Sequence, residues 1–220
     1  MKKQAGPVTL DLIKKTHRAR RAEIRGRLRE FELILETGSD EKFWEEMVFC
    51  FFTGGCSAKM GLRSIEATRH LLMSGSQPEL ADALVGSHRY PNARSKYITF
   101  TRGNLFGNGR ISLKSKLVSF TDPLERRDWL VKDPGIKGLG YKEASHYLRN
   151  IGYKGYAILD KHVLNCLAEL GVIDDPKPPS TRARYLEAEA RLKSFARELR
   201  IDPDEMDLVL WSIKTGEILK

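Results

Sequence analysis

Apolar positions recur along most of this chain at the spacing of a helix. Between positions 14 and 35, Ile24, Leu28, Phe31 and Leu35 fall on one stripe, while Arg18, Arg20, Arg21, Arg25, Arg27 and Arg29 occupy the remaining faces. That pattern predicts an amphipathic helix with a solvated arginine face, one or two of whose members could meet a phosphate. Phe43 to Phe52 is too uniformly apolar for a surface helix and is expected in the core, stopped by Thr53-Gly54-Gly55. Ser57 is placed to cap a helix that runs to about Met73. Pro78 fits the first turn of another short helix, and His88-Arg89-Tyr90-Pro91-Asn92 reads as a loop before a helix from Ala93.

Gly103 and Gly107-Asn108-Gly109 interrupt the pattern. Ile111 to Phe120 alternates in places as a strand would; with no partner strand visible, it is read as helix. Thr121-Asp122-Pro123 caps a helix through Trp129 toward Lys132, and Asp133-Pro134-Gly135 breaks it. Ile136 to Gly140 then forms a hairpin, and Tyr141 to Ile151 carries Ala144, Tyr147, Leu148 and Ile151 at helical spacing. A further apolar stretch ends at Asp160, where a helix from Lys161 to Leu170 begins, closed by Gly171. Asp174 to Ser180 is the clearest linker. It leads into a long helix with Tyr185, Leu192, Phe195 and Leu199, and Asp202-Pro203 opens the last one. The fold class read from this is all-α.

Composition narrows the partners. The 220 residues are 41% hydrophobic, enough for a sizeable core, and 38 Lys plus Arg against 29 Asp plus Glu leave a formal charge of +9. A basic surface favours a polyanion, usually nucleic acid. No apolar span of membrane length and no secretory signal is seen, since no apolar run follows Met1-Lys2-Lys3-Gln4. Cys50, Cys56 and Cys166 are too few and too irregularly spaced for a four-cysteine metal or iron–sulfur site. Reduced thiols suit an intracellular protein, cytoplasmic or nucleoid-associated.

The chemistry is concentrated in Lys137-Gly138-Leu139-Gly140-Tyr141-Lys142 and in Asp160. Gly138 and Gly140 permit positive φ and close approach, so main-chain N–H groups there, with Lys137, can meet a DNA phosphate. A plain helical hairpin would use the same residues. Lys142 lies in the first turn of the following helix. An amine attacks only when neutral, and the positive end of a helix together with partial burial favours that form. Asp160 is placed as an N-cap, which orients its carboxylate and suits it to stabilise a developing cation.

Gly138 to Gly152, Gly-Leu-Gly-Tyr-Lys-Glu-Ala-Ser-His-Tyr-Leu-Arg-Asn-Ile-Gly, closely resembles the archaeal-type second family of 8-oxoguanine DNA glycosylase/AP lyases, in the helix-hairpin-helix, Gly-Pro-Asp superfamily. Leu208 to Lys220 resembles that family's C-terminus, and Phe49 to Leu62 its early helix and loop. The resemblance implies two helical lobes with the active-site cleft between them. Residues 40–154 would form the lobe containing the hairpin, and 1–39 with 155–220 a second lobe built from both termini. It implies a bifunctional enzyme in which Lys142 attacks the sugar and Asp160 stabilises the transition state. No metal or organic cofactor would take part, although hairpin carbonyls such as those of Ile136 and Leu139 could hold a structural monovalent cation.

The partner implied is double-stranded DNA containing an oxidised guanine, bound by a monomer, with no membrane. The main-chain carboxylate of Lys220 would accept from the N7–H that distinguishes the lesion from guanine. Trp211 would stack on the extruded base, with Asp207 and Phe100 as further pocket residues. Gly54-Gly55-Cys56 stands where relatives often carry Asn or Gln to fill the gap left by the base; Arg89 and Tyr90 are alternatives for that task. Two rival readings remain at this stage: a related glycosylase with another lesion preference, and a non-catalytic DNA-binding module.

Overall fold

Most helices of this protein begin where the sequence supplies a side-chain oxygen. A computed structural model describes residues 7–106 and 113–219. Among these residues the elements are α1 (Leu10–Thr37), α2 (Asp40–Thr53), α3 (Ala58–Thr68), α4 (Gln77–Leu84), α5 (Pro91–Phe106), α6 (Leu113–Val118), α7 (Pro123–Lys132), α8 (Tyr141–Asn150), α9 (Lys161–Glu169), α10 (Arg182–Glu198) and α11 (Pro203–Thr215). No strand occurs among them. Ser39, Ser57, Ser76, Asp122, Asp160, Thr181 and Asp202 each accept a first-turn amide of the helix they precede, which satisfies donors that have no partner within the helix. Ser76 and Glu79 cap each other reciprocally. No helix among the described residues is long and apolar enough to cross a membrane.

Among the boundaries that differ from the expectation, two have a local cause. The helix expected from Ala93 begins at Pro91, whose ring presets the backbone angle of a first helical residue. The helix expected to reach Met73 tightens at Arg69–Leu71 into a 3-10 turn. There the Arg102 guanidinium takes the carbonyls of Leu71, Leu72 and Gly75, which ends the helical ladder. The helix read over Ile111–Phe120 is present as α6; Ile111 itself, Gly107-Asn108-Gly109 and Met1 to Gln4 lie outside the described residues.

The chain divides into two compact units. One comprises Glu32–Ile151 and the other Met1–Phe31 with Gly152–Lys220, so the division falls inside α1 and just after α8. In the Glu32–Ile151 unit the core is α2, whose Phe43, Trp44, Met47, Phe49, Phe51 and Phe52 are all buried. Trp44 Nε1 donates to the Leu72 carbonyl at 3.0 Å. The buried Glu46 meets Lys42 Nζ at 3.0 Å and Asn150 Nδ2 at 3.4 Å, tying α8 to α2. Removing such a partner would leave a charge uncompensated in the interior.

The other unit buries Ile13, Ile24, Leu164, Leu167, Leu192, Leu208 and Leu210. Arg25 stays exposed on the expected solvated face, yet its Nε donates at 2.6 Å to the buried Glu205, which His17 also contacts. Arg20 and Arg27 pair with Glu23 and Glu30 along the helix surface. The tail after α11 is docked at least as far as Ile218, which is buried.

Candidate active site and DNA-binding turn

The turn before α8 is organised by Asp133. Its Oδ1 accepts the Gly135 N–H at 2.8 Å, its Oδ2 accepts Trp129 Nε1 at 2.8 Å, and its carbonyl accepts the Ile136 N–H. Lys137 N–H donates to Thr101 Oγ1 at 3.1 Å, joining the turn to α5. Ile136 and Leu139 are buried beneath it. Gly138 has φ +88°, and a β-carbon there would stand 2.5 Å from Tyr97 Cδ2, so both conformation and space require glycine. Gly140 contributes no side-chain cap to α8, and the positive end of that helix favours an anion. The Lys137 ammonium lies over the ring of Phe100, 5.6 Å from its centroid.

Lys142 is the second residue of α8. Its side chain is 24% exposed, and Nζ stands 3.5 Å from Glu143 Oε1. Glu143 therefore holds the amine next to the glycine turn. Two residues that the sequence reading passes over, Arg94 and Tyr97, support this end of the unit. Arg94 donates to the Gly54 carbonyl, and its guanidinium lies between the rings of Tyr90 (5.7 Å) and Tyr97 (5.4 Å). The Gly54-Gly55-Cys56 loop is thereby tied to α5. Arg89 also stacks on Tyr90, at 5.3 Å.

In the other unit, Asp160 is the N-cap of α9. Its Oδ1 receives the N–H groups of His162 (2.8 Å) and Val163 (2.9 Å). Among the described residues, Oδ2 receives no hydrogen bond. One oxygen therefore orients the carboxylate while the other keeps its acceptor capacity.

The remaining site residues occupy distinct settings. Trp211 is half-buried on α11, one turn after Asp207. Asp207 is only 4% exposed, and its Oδ2 accepts the Ile158 N–H at 3.1 Å. Phe100 is 44% exposed on α5, within the Glu32–Ile151 unit along with Lys137, Gly138, Gly140 and Lys142. Asp160, Asp207 and Trp211 belong to the other unit. Lys220 lies outside the described residues.

Comparison with known proteins addresses the identity of this arrangement. Residues 24–201 match the family model for helix-hairpin-helix 8-oxoguanine DNA glycosylase. The chain belongs to that family. An 8-oxoguanine DNA glycosylase/AP lyase from Korarchaeum cryptofilum is 41% identical over 198 residues, 90% of each chain. The crystal structure of the Methanocaldococcus jannaschii 8-oxoguanine glycosylase/lyase, in complex with 15mer DNA containing 8-oxoguanine, superimposes with a TM-score of 0.87 at 32% identity, covering 96% of this chain and 99% of that one. The 8-oxoguanine DNA glycosylase of Thermotoga maritima gives 0.86 at 33% identity, covering 96% and 98%. The helix-hairpin-helix glycosylase fold is thus shared over nearly the whole chain. The glycine turn and Lys142 lie in the Glu32–Ile151 unit of this fold, and Asp160 in the other.

Proposed function

We propose that this protein excises 8-oxoguanine from duplex DNA and then nicks the strand at the resulting site. The observation that carries the reading is Lys142: a half-buried amine in the first turn of α8, directly behind a turn in which Gly138 can be nothing but glycine. The turn's N–H groups and Lys137 bind backbone phosphate, and the damaged nucleotide leaves the stack so that its sugar can be reached. The neutral amine of Lys142 attacks C1′. The C1′–N9 bond breaks, and the base leaves with a proton. The sugar ring opens to an iminium linking Lys142 to C1′, a C2′ proton is lost, and the C3′–O bond breaks by β-elimination. Water then hydrolyses the remaining imine, which frees the Lys142 amine and leaves strand ends that carry an unsaturated aldehyde and a phosphate.

Asp160 stabilises the positive charge that develops on the sugar as the base departs. Its Oδ2, which receives no hydrogen bond among the described residues, suits it to that task, while the two amides on Oδ1 hold its orientation. Trp211 stacks on the extruded base, an interaction of roughly 1–3 kcal/mol. The scheme draws on no metal or organic cofactor, and one chain supplies both reacting groups.

Borohydride trapping on a duplex with one 8-oxoguanine, beside an undamaged control, tests the reading. A covalent adduct on the lesion duplex alone, absent for Lys142→Gln, is the expected result. Adduct on abasic DNA but none on 8-oxoguanine would retain the lyase and discard the substrate. Tight binding to both duplexes with no adduct at all would remove the lyase step and leave a monofunctional glycosylase or a plain DNA-binding protein.

A further inference from the structure

The segment that delivers Asp160 to the start of α9 has no regular secondary structure, yet it is buried: Tyr156, Ala157, Ile158 and Leu159 all lie in the interior. Buried main-chain amides need partners. Here the partners come from side chains on two other helices of the same unit.

Glu189 Oε1 accepts the Ala157 N–H at 3.0 Å, and Asp207 Oδ2 accepts that of Ile158 at 3.1 Å. The Tyr185 hydroxyl accepts from Leu159 N–H at 3.4 Å while donating to the Ala157 carbonyl at 2.8 Å. The Asp160 N–H closes a tight bend onto the Ile158 carbonyl at 3.0 Å. Upstream, Gly155 is clamped through its N–H by Asp204 (2.7 Å) and through its carbonyl by Lys193 (2.6 Å).

Tyr185, Glu189 and Lys193 are spaced by four on α10, and Asp204 and Asp207 by three on α11. Each set therefore forms one stripe facing the segment. Three consecutive amides are taken by three side chains, two of them carboxylates, whose bonds to N–H are stronger than neutral ones.

We infer that Tyr185, Glu189 and Asp207 are positioning residues for Asp160: they hold the main chain of 157–159 so that the carboxylate at 160 meets the sugar in the geometry the reaction requires. This inference rests on the proposed role of Asp160. It gives Asp207 a task in base release that is exerted through the Ile158 N–H.

The test compares single-turnover release of 8-oxoguanine by the full chain carrying Tyr185→Phe, Glu189→Gln, Glu189→Ala, Asp160→Asn, and each of the first three combined with Asp160→Asn. Borohydride-trapping amplitude gives the active fraction, so partial unfolding lowers the amplitude and leaves the rate constant interpretable. Tyr185→Phe removes one hydroxyl from a buried ring and is the variant that keeps the test usable if Glu189→Ala does not fold. Displacing a catalytic group by about an ångström costs roughly 10²-fold in rate.

The expected result is a rate constant at least tenfold lower for Tyr185→Phe and Glu189→Ala, largely rescued in Glu189→Gln, whose amide oxygen still accepts. Affinity for the lesion duplex should stay within about threefold by the same measure of tenfold per 1.4 kcal/mol. In the Asp160→Asn background Tyr185→Phe should add nothing, because residues acting through one group are not additive. Full, independent effects in that background, or no rate effect of Tyr185→Phe and Glu189→Ala in the parent, would overturn the positioning role. An unchanged rate for Asp160→Asn alone would instead overturn the catalytic assignment of Asp160.

Discussion

Gly138 rests against the ring of Tyr97 so closely that a β-carbon at 138 would lie 2.5 Å from Tyr97 Cδ2. The same glycine has φ +88°, a region that costs an ordinary residue of order 1–3 kcal/mol. Gly138→Ala should therefore reshape the turn and weaken binding to undamaged duplex by about tenfold or more. Fluorescence anisotropy titration at fixed salt measures this. A melting temperature close to that of the parent would locate the damage in the turn rather than in the core.

His88 makes the loop that carries Arg89 and Tyr90 sensitive to acid. Its Nδ1 accepts the Tyr90 N–H at 2.9 Å and its Nε2 lies 3.0 Å from the Phe52 carbonyl, an arrangement that suits the neutral ring with its proton on Nε2. Burial holds its pKa below the usual 6.5; the bond to the Phe52 carbonyl opposes this and the nearby Arg94 charge reinforces it. The unfolded chain takes up the proton first as pH falls. The stability tied to neutral His88 is thus complete above 6.5 and is lost progressively below it. Melting temperatures recorded from pH 8 to pH 5 should show that decline, with a shallower slope in His88→Gln.

Glu205 anchors α11 to α1 through Arg25 and His17. Burial pushes its carboxyl pKa up, but hydrogen bonds and charge from those two partners outweigh that and leave it lowered. Glu205→Ala should destabilise the fold by about 2–3 kcal/mol, the range for hydrogen bonds to a charged group. Urea unfolding checks the size of the loss. The same experiment in the parent should show this contribution fading as pH falls below the ordinary carboxylate range.

The three cysteines are reduced thiols that differ in access: Cys50 and Cys166 are buried, and Cys56 is half-exposed in the loop after α2. Burial also pushes the Cys166 thiol up to about 12. Under native conditions near pH 8, a thiol reagent should label Cys56 quickly, with Cys50 and Cys166 reacting only as the protein opens. Rapid labelling of Cys166 would contradict its placement between α9 and α11.

The helices were legible because their signals are local. Ser57, Asp122, Asp160 and Asp202 announce helix starts through nearest-neighbour chemistry, and the apolar run at 43–52 announces a core helix by composition alone. Lys142 and Asp160 stood out for the same reason, each beside its own turn or cap. Arg94, Glu189 and Tyr185 escaped notice because their partners are distant in sequence: Gly54 is forty positions from Arg94, and Ala157 is thirty-two from Glu189. Tyr185 was counted on the apolar stripe of α10, where its ring indeed is buried; its hydroxyl is the informative part. A polar residue recurring every fourth position on an otherwise apolar helix face was the available clue.

The support of Gly155 to Leu159 by residues of α10 and α11 also bears on how this element could be moved or redesigned. The amides of Gly155, Ala157, Ile158 and Leu159 are held by side chains from α10 and α11. Grafting 155–160 onto another scaffold would carry the aspartate and leave its framework behind. A working transplant would have to bring a tyrosine and two carboxylates that lie about 25 to 50 positions downstream, and libraries that vary only the loop would be sampling the part of the element with the least say in its shape.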